Sequence, residues 1–260
     1  MATHQRLYSA HPKLSRPHSR KLNPTRRYNG GMALSVASSP VQIRCQGVLF
    51  DMDGILISSL GSVERSWTKW ANLRGIDPEH ACRIAHGCRA IETVARLRPD
   101  LDSEAELKII EDIEVEDNDG LTVLPGVLSL LAALPADRWA VVTSATERLA
   151  RVRLAAGGIP TPAQLVTANH VTKGKPHPEP FLAGAALLGF PPQQCVVFED
   201  SSSGAQAGRA AGCTVVATTF SHPVETLDAA HYLITDLTGV TVEPPSNGKE
   251  IALRFTPLER

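Results

Sequence analysis

The 260-residue chain has no run of 18 or more apolar residues, so the sequence predicts no membrane-spanning helix. Its five cysteines form no C-x-x-C pair, and several lie in apolar runs. We interpret them as buried side chains in a reducing compartment, which favours a cytoplasmic protein over one with disulfides or cysteine metal ligands. With 43% hydrophobic and 20% charged residues, the composition is typical of a soluble globular protein.

Acidic residues are missing from the first forty positions, which hold seven of the 26 Lys and Arg residues. The other 19 basic residues face 27 acids, so residues 41–260 have a net charge of −8. An acidic folded part argues against a nucleic-acid surface. We predict that residues 1–40 form a disordered basic tail. Three explanations of this tail remain open: it is an organelle transit peptide, it results from a start site upstream of a functional start at Met32, or it is an arm that binds an anionic partner.

The most informative stretch is Asp51-Met52-Asp53-Gly54, which follows a short apolar run. Because residues i and i+2 of a strand point to the same side, Asp51 and Asp53 are expected to project together from a strand end. Two carboxylates this close repel each other unless a cation lies between them. The pair therefore predicts a hard metal ion with oxygen ligands, and room for a phosphate.

Further apolar runs alternate with helical patterns. This alternation predicts an α/β fold, a three-layer Rossmann-like parallel sheet with helices on both faces, in which ligands bind beyond the carboxyl ends of the strands. The predicted strands are residues 48–51, 139–144, 165–169, 195–200 and 213–219, and the predicted helices are residues 126–134, 147–156, 179–188 and 203–211.

The segment from 61 to 121 has helical spacing and no strand pattern, so we predict an all-helical insert after the first strand. Acids crowd its last helix, between residues 104 and 119, and we interpret them as a solvated outer face. Residues 41–60 and 122–240 then form the catalytic core. Residues 241–260 form a C-terminal extension with a possible edge strand at 251–255.

Polar residues follow the other predicted strands. Ser144 and the Ala145 N–H lie where a helix opens, which is a typical anion site. Lys175 precedes a proline that holds it extended, and it can act as a phosphate clamp. Glu199 and Asp200 form a second carboxylate pair at a strand end, which is costly unless it meets a cation.

Together and in this order, the motifs resemble the haloacid dehalogenase-like hydrolase superfamily over about residues 41–240. The helical insert resembles the cap of its phosphatase and phosphomutase branch. The stretches that resemble the glycerol-3-phosphate and 2-deoxyglucose-6-phosphate phosphatases are residues 85–89, 139–144, 167–180 and 196–200. The chain departs from the family at Ile55, where many members have Thr, and at residues 201–203, where Ser-Ser-Ser replaces Ala-Pro-Ala.

The resemblance implies a Mg²⁺-dependent phosphatase of small sugar or polyol phosphate monoesters, such as glycerol 3-phosphate or 2-deoxyglucose 6-phosphate. It implies an aspartyl-phosphate intermediate, with Asp51 as nucleophile and Asp53 as general acid and base. The other implied roles are metal binding by Asp51, the Asp53 carbonyl, Asp200 and, indirectly, Glu199; phosphate binding by Ser144, Ala145 and Lys175; and substrate contact from the insert by His86 and Arg89.

Three alternatives compete with this interpretation. A phosphomutase resembling β-phosphoglucomutase has the same core motifs and passes the phosphoryl group to a sugar hydroxyl instead of water. The presence of Asp53 argues against a dehalogenase, which does not need an acid at this position. The four clustered carboxylates argue against a catalytically silent binding module, which has no physical reason to keep them. The expected partner is a small phosphorylated sugar or polyol, with no nucleic acid or membrane, and the chain is expected to be a monomer or weak dimer.

Overall fold

A computed structural model describes residues 34–243 and 250–259. The tail predicted over residues 1–40 therefore lies outside the described residues as far as residue 33. The strands of the described part are β1 (Val41–Cys45), β2 (Gly47–Phe50), β3 (Ile57–Ser58), β4 (Thr122–Val123), β5 (Trp139–Val142), β6 (Leu165–Val166), β7 (Cys195–Glu199), β8 (Thr214–Thr218), β9 (Tyr232–Ile234), β10 (Thr241–Glu243) and β11 (Ile251–Phe255). Its α-helices are α1 (Leu60–Arg74), α2 (Pro78–Ala85), α3 (Ala90–Leu97), α4 (Ser103–Glu116), α5 (Val127–Ala133), α6 (Glu147–Ala156), α7 (Glu179–Leu188) and α8 (Ser202–Ala210). None of these helices combines the length and apolar character that a membrane span requires.

The central sheet has six parallel strands in the order β6-β5-β2-β7-β8-β9. Alternate residues of β2 face opposite sides, as the pleat requires. Phe50 packs in one hydrophobic cluster with Leu154 of α6, and Leu49 packs in a second cluster with Phe181 of α7. Helices therefore cover both faces, and the predicted three-layer α/β fold is confirmed.

Strand β2 is the point where the strand order reverses. The chain passes from β2 to its neighbour β5 and on to β6, then returns to the other side of β2 as β7. Such a switch point opens a crevice beyond the carboxyl end of the strand. The residues that follow β2, β5 and β7 consequently meet at one edge of the sheet.

Helices α1–α4 form the helical insert (residues 60–116) between β3 and β4. The insert has its own hydrophobic cluster, built around Trp67 and Trp70, so its apolar stripes are satisfied internally. The predicted solvated outer face of its last helix is wrong for Glu106 and Glu114, which are buried. Arginine partners make this burial possible: Arg74 Nε donates to Glu106 over 2.8 Å, and the partner of Glu114 belongs to the site described below.

The C-terminal extension contributes to a second, antiparallel sheet in the order β1-β11-β10. Strand β11 was expected at an edge, yet it is the central strand: β1 and β10 pair with its two edges, and all of its residues except Arg254 are buried. Just before β1, Val36 forms a bridge with Leu258. Residues 35–37 therefore pair with the C-terminal segment, which corrects the prediction of a disordered tail for this part.

Candidate active site

The carboxyl end of β2 brings Asp51 into a buried position, with 6% of its surface exposed. Its Oδ1 accepts a hydrogen bond from the Met52 N–H over 2.8 Å and lies 3.0 Å from Lys175 Nζ. Asp53 starts from the same strand end, and its carboxylate has other partners: it accepts from Ser59 Oγ over 2.6 Å and from Arg153 Nη1 over 2.9 Å. The two acids thus have separate environments.

Lys175 lies at the centre of the site and is almost completely buried. Its Nζ donates to Glu199 Oε1 over 2.6 Å and to the Val142 carbonyl over 3.2 Å, in addition to the contact with Asp51. Burying an ammonium group is costly unless it is paired and hydrogen-bonded. The structure therefore brings together the lysine that precedes α7 and the acids that follow β2 and end β7.

Asp51, Glu199 and Asp200 can hold a metal ion, since each offers a carboxylate oxygen within 4.8 Å of the others. Both oxygens of Glu199 already accept hydrogen bonds. Oε1 accepts from Lys175, and Oε2 accepts from the backbone N–H groups of Asp200 and Ser201, each over 2.9 Å. Asp200 accepts from the Ser221 hydroxyl.

The electrostatics of this cluster favour an added cation. Burial raises the pKa of Asp51 to about 8, against the opposing effect of Lys175. Burial also raises the pKa of Asp200 well above its usual range, and the charges of Glu199 and Asp51 add to this effect. Glu199 is buried as well, but Lys175 and two backbone N–H groups lower its pKa. Three carboxylates around one ammonium leave an excess of negative charge, which a divalent cation would neutralise.

Two glycines allow the backbone to approach these acids. Gly54 has a φ of 79°, and a Cβ atom there would lie 1.8 Å from a carboxylate oxygen of Asp200. A Cβ atom on Gly204, in the first turn of α8, would lie 1.7 Å from Glu199 Oε1. Because such distances are far below van der Waals contact, only glycine fits at either position.

Ser144 and Ala145 follow β5 and line the same cavity as Asp51 and Asp200. The Ser144 hydroxyl donates to the carbonyl of Gly87 in the helical insert over 3.3 Å. The N-cap of α6 is Thr146, whose side chain accepts from the Leu149 N–H. Since Thr146 caps the helix, the Ser144 hydroxyl is available for other contacts.

Of the two insert residues singled out from the sequence, His86 lines the cavity, whereas Arg89 is not among the lining residues. The ring of His86 meets His222 of the core edge to face, with centroids 4.9 Å apart. Arg89 instead donates to the carbonyls of Val171 and Thr172, over 2.9 and 2.7 Å. The side chain of Arg89 thus contacts the loop before Lys175, and this contact joins the insert to the core.

Three further residues of the site were not predicted from the sequence: Ser59, Glu114 and Arg153. Arg153 is buried on α6, four residues after Leu149 and three after Ala150, which are both in the core. A charged residue on an otherwise apolar helical stripe is a signal that could have identified it. Ser59 carries no such signal, because serine is common just before a helix.

Comparison with known proteins supports one family. A protein-family model described as haloacid dehalogenase-like hydrolase matches residues 45–212. Hexitol phosphatase A of Escherichia coli (strain K12) is 40% identical over 217 residues, which cover 80% of this chain and 99% of that protein. Glycerol-1-phosphate phosphohydrolase 2 of Saccharomyces cerevisiae is 35% identical over 201 residues, which cover 72% of this chain and 80% of that protein.

Among solved structures, a β-phosphoglucomutase from Clostridium difficile has a TM-score of 0.66 and 23% identity, and the likeness covers 75% of this chain and 92% of that chain. At this identity the likeness shows the shared fold alone. The family model spans the segment that contains β2, the helical insert, β5, Lys175 and β7, and these elements supply the acids, the lysine and the helix opening described above. The chain belongs to the haloacid dehalogenase-like hydrolase family.

Proposed function

We propose that the protein is a Mg²⁺-dependent phosphatase that hydrolyses small sugar or polyol phosphate monoesters. The observation that carries this proposal is the contact of Asp51 with Lys175 beside Asp200, which joins a nucleophile, a cationic clamp and a metal ligand in one buried cluster. The similarity to a hexitol phosphatase and a glycerol-1-phosphate phosphohydrolase supports the substrate class.

In this proposal, a carboxylate oxygen of Asp51 attacks phosphorus, a P–O bond to Asp51 forms, and the P–O bond to the alkoxide breaks. Asp53 gives its proton to the departing alkoxide. Asp53 then takes a proton from the water that attacks the aspartyl phosphate. This attack breaks the P–O bond to Asp51, releases phosphate and restores the free Asp51 carboxylate. The separate environments of the two acids suit these separate roles, since Asp51 is paired with Lys175 and Asp53 is paired with Arg153.

The buried acids fit a hard cation, because burial, together with the charges of the neighbouring carboxylates, raises the pKa values of Asp51 and Asp200, and a divalent cation would offset both effects. Asp51, Asp200 and the Asp53 carbonyl would hold Mg²⁺ directly. Glu199, with both oxygens engaged, would act indirectly by orienting Lys175 and the backbone after β7. When bound, Mg²⁺ would reduce the repulsion between Asp51 and the phosphate and stabilise charge in the transition state.

Ser144, the Ala145 N–H and Lys175 would bind the phosphate oxygens, because all three follow strand ends or open helices around Asp51. The rest of the cavity is lined by apolar side chains such as Trp67 and Leu107, by His86, by Glu111, and by Glu114 with Arg153. Because Arg153 is already paired with Asp53 and Glu114, it adds no free positive charge there. Acidic groups on this side suit neutral hydroxyls better than a second phosphate. A polyol or sugar monophosphate therefore fits better than a bisphosphate.

The test is phosphate release from a panel: glycerol 1- and 3-phosphate, sorbitol 6-phosphate, 2-deoxyglucose 6-phosphate, several hexose phosphates and β-glucose 1-phosphate. Each is run with Mg²⁺, with EDTA, with Asp51→Asn and with Asp137→Asn, a control at an acid whose side chain is 78% exposed. We expect metal-dependent release that Asp51→Asn abolishes and Asp137→Asn retains. Conversion of β-glucose 1-phosphate to the 6-phosphate without release would instead identify a phosphomutase and contradict the proposal.

A further inference from the structure

We propose that Arg153 is a positioning residue that holds Asp53 in its catalytic orientation, and that Glu114 makes this hold depend on the position of the helical insert. This inference rests on the proposed function, in which Asp53 is the general acid and base. It concerns a bridge of three charged side chains from three parts of the fold: the loop after β2, helix α6 of the core and helix α4 of the insert.

Arg153 is 3% exposed, and its two terminal nitrogens have different partners. Nη1 donates to Asp53 Oδ2 over 2.9 Å, and Nη2 donates to Glu114 Oε1 over 3.1 Å. Its Nε is buried and has no hydrogen-bond partner among the described residues. A buried guanidinium with an unsatisfied nitrogen is costly, so its ion pairs determine where it lies.

The carboxylate of Asp53 is held from both ends. Ser59 Oγ donates to Oδ1 over 2.6 Å, while Arg153 holds Oδ2. A general acid must lie within hydrogen-bond reach of the atom it protonates, so a fixed rotation of this carboxylate is a catalytic requirement. Ser59 is close to Asp53 in sequence, whereas Arg153 is one hundred positions away. The arginine therefore couples the orientation of Asp53 to the packing of α6.

Glu114 extends this coupling to the insert. Helix α4 meets α6 at further contacts, since Glu111 accepts from the Thr146 hydroxyl and Asp112 accepts from Arg148 over 2.5 Å. The insert also contacts the core through Gly87, whose carbonyl accepts from Ser144 and Ser203. The cavity is lined from both sides, so an outward movement of the insert that widens it breaks some of these contacts. When α4 moves away, Arg153 loses Glu114 and its hold on Asp53 loosens.

The competing explanation is that Arg153 only neutralises Glu114 and supports the fold. Leaving groups distinguish the two. A sugar or polyol phosphate releases an alkoxide, which needs the proton of Asp53, while p-nitrophenyl phosphate releases a stable phenolate that does not. The ratio of kcat/KM for the alkyl phosphate to kcat/KM for the aryl phosphate therefore reports how much Asp53 contributes by protonating the leaving group. This ratio does not depend on the fraction of folded protein.

We would measure this ratio with Mg²⁺ for wild type, Arg153→Met, Arg153→Lys and Glu114→Gln. The double variant Arg153→Met with Glu114→Gln is added because it removes the unpaired buried charge that can unfold Arg153→Met. Arg151→Met is the matched control, since Arg151 is on the same helix and pairs with Glu147 of that helix rather than with α4 or Asp53.

We expect the ratio to fall about 10- to 100-fold in Arg153→Met and in the double variant, as for a misplaced general acid. Glu114→Gln and Arg153→Lys should give a smaller fall, of about 3- to 10-fold, and Arg151→Met should leave the ratio unchanged. An unchanged ratio in both Arg153→Met proteins would overturn the inference and leave the proposed function intact. If wild type releases no phosphate from any alkyl monoester, the proposed function fails, and the inference fails with it.

Discussion

Lys175 Nζ lies 3.0 Å from Asp51 Oδ1, so the proposed nucleophile and the proposed phosphate clamp are already an ion pair. The same Nζ lies 2.6 Å from Glu199, and all three side chains are buried. Lys175 precedes α7 and the acids belong to two different strands, so this pairing joins three segments that are far apart in sequence. It is the contact on which the geometry of the site depends.

Replacement of Lys175 by Met should destabilise the protein by about 3–5 kcal/mol, because two buried carboxylates lose their compensating charge. In an Asp51→Asn background the same replacement should cost less, since one of the two carboxylates is then gone. Urea unfolding in EDTA at about pH 9, above the pKa of about 8 for Asp51, measures both values with that carboxyl ionised. Lys108→Met is the control at a lysine whose side chain is 74% exposed, and it should change the free energy of unfolding by at most about 0.5 kcal/mol. Equal costs of Lys175→Met in the two backgrounds would contradict the ion pair.

The metal-free protein should lose stability as the pH rises. The folded-state pKa of Asp51 is raised from 3.8 to about 8, so the folded state binds more protons than the unfolded state between these values. The stabilising contribution of the protonated Asp51 is therefore fully present below pH 3.8 and is lost as the pH rises through about 8.

Thermal unfolding in EDTA at pH 5.5 and pH 8 tests this direction, with Asp51→Asn as the reference. The reference is needed because the lowered pKa values of His86, His222 and His231 act in the opposite direction. We expect Asp51→Asn to gain about 5 °C in Tm over wild type at pH 8, and less at pH 5.5. Mg²⁺ should raise the Tm of wild type most at pH 8. A gain in the stability of wild type relative to Asp51→Asn on going from pH 5.5 to pH 8 would contradict the raised pKa of Asp51 in the folded protein.

Alanine at Gly54 should disrupt metal binding, because its Cβ would displace the Asp200 carboxylate. Gly189 is the matched control: its φ of 75° is close to the 79° of Gly54, and no atom lies within 4 Å of the added Cβ. Both variants should lose about 1–2 kcal/mol from the left-handed backbone. Only Gly54→Ala should also lose Mg²⁺-dependent stabilisation, measured as the Tm shift on titration. Equal Mg²⁺ responses would show that Asp200 is free to move aside.

His86 and Arg89 should affect turnover in different ways. His86 lines the cavity, so His86→Ala should change the ranking of substrates, with kcat/KM for the preferred polyol phosphate falling about 10- to 100-fold. Arg89 holds the insert to the loop before Lys175, so Arg89→Met should lower kcat/KM for all substrates by a similar factor. The phosphate panel measures both effects. A changed ranking of substrates in Arg89→Met, with an unchanged ranking in His86→Ala, would show that Arg89 rather than His86 contacts the substrate.

The sequence predicted the central sheet and the ends of its strands well. Four-residue apolar runs such as β2 are distinct from the helical patterns between them, and their polar ends identified Asp51 and Asp200, while Lys175 was identified by the proline that follows it. The limits of α6 and α7 agree with the predicted ranges. Strand β9 was not predicted, because three residues are too few to show a pattern.

What the sequence could not supply is the choice of partners over long distances. The acids of α4 are typical of a solvated helix face, and only the fold shows that Glu114 faces a buried arginine of the core. Strand β11 is a short apolar run near the chain's end, and its central place depends on pairing with β1, about two hundred residues earlier. Periodicity identifies an element and its buried side, while the partner of a buried charge depends on the tertiary arrangement.

The central claim is that Asp51 carries the phosphoryl group during turnover. Wild-type protein would be mixed with its best alkyl phosphate and Mg²⁺, quenched with acid within one turnover and treated with borohydride, which reduces an acyl phosphate to an alcohol. Mass spectrometry should then find homoserine in place of aspartate at position 51, and aspartate there when EDTA replaces Mg²⁺. Homoserine at another aspartate, or Mg²⁺-dependent phosphate release at the wild-type rate by Asp51→Asn, would contradict the account.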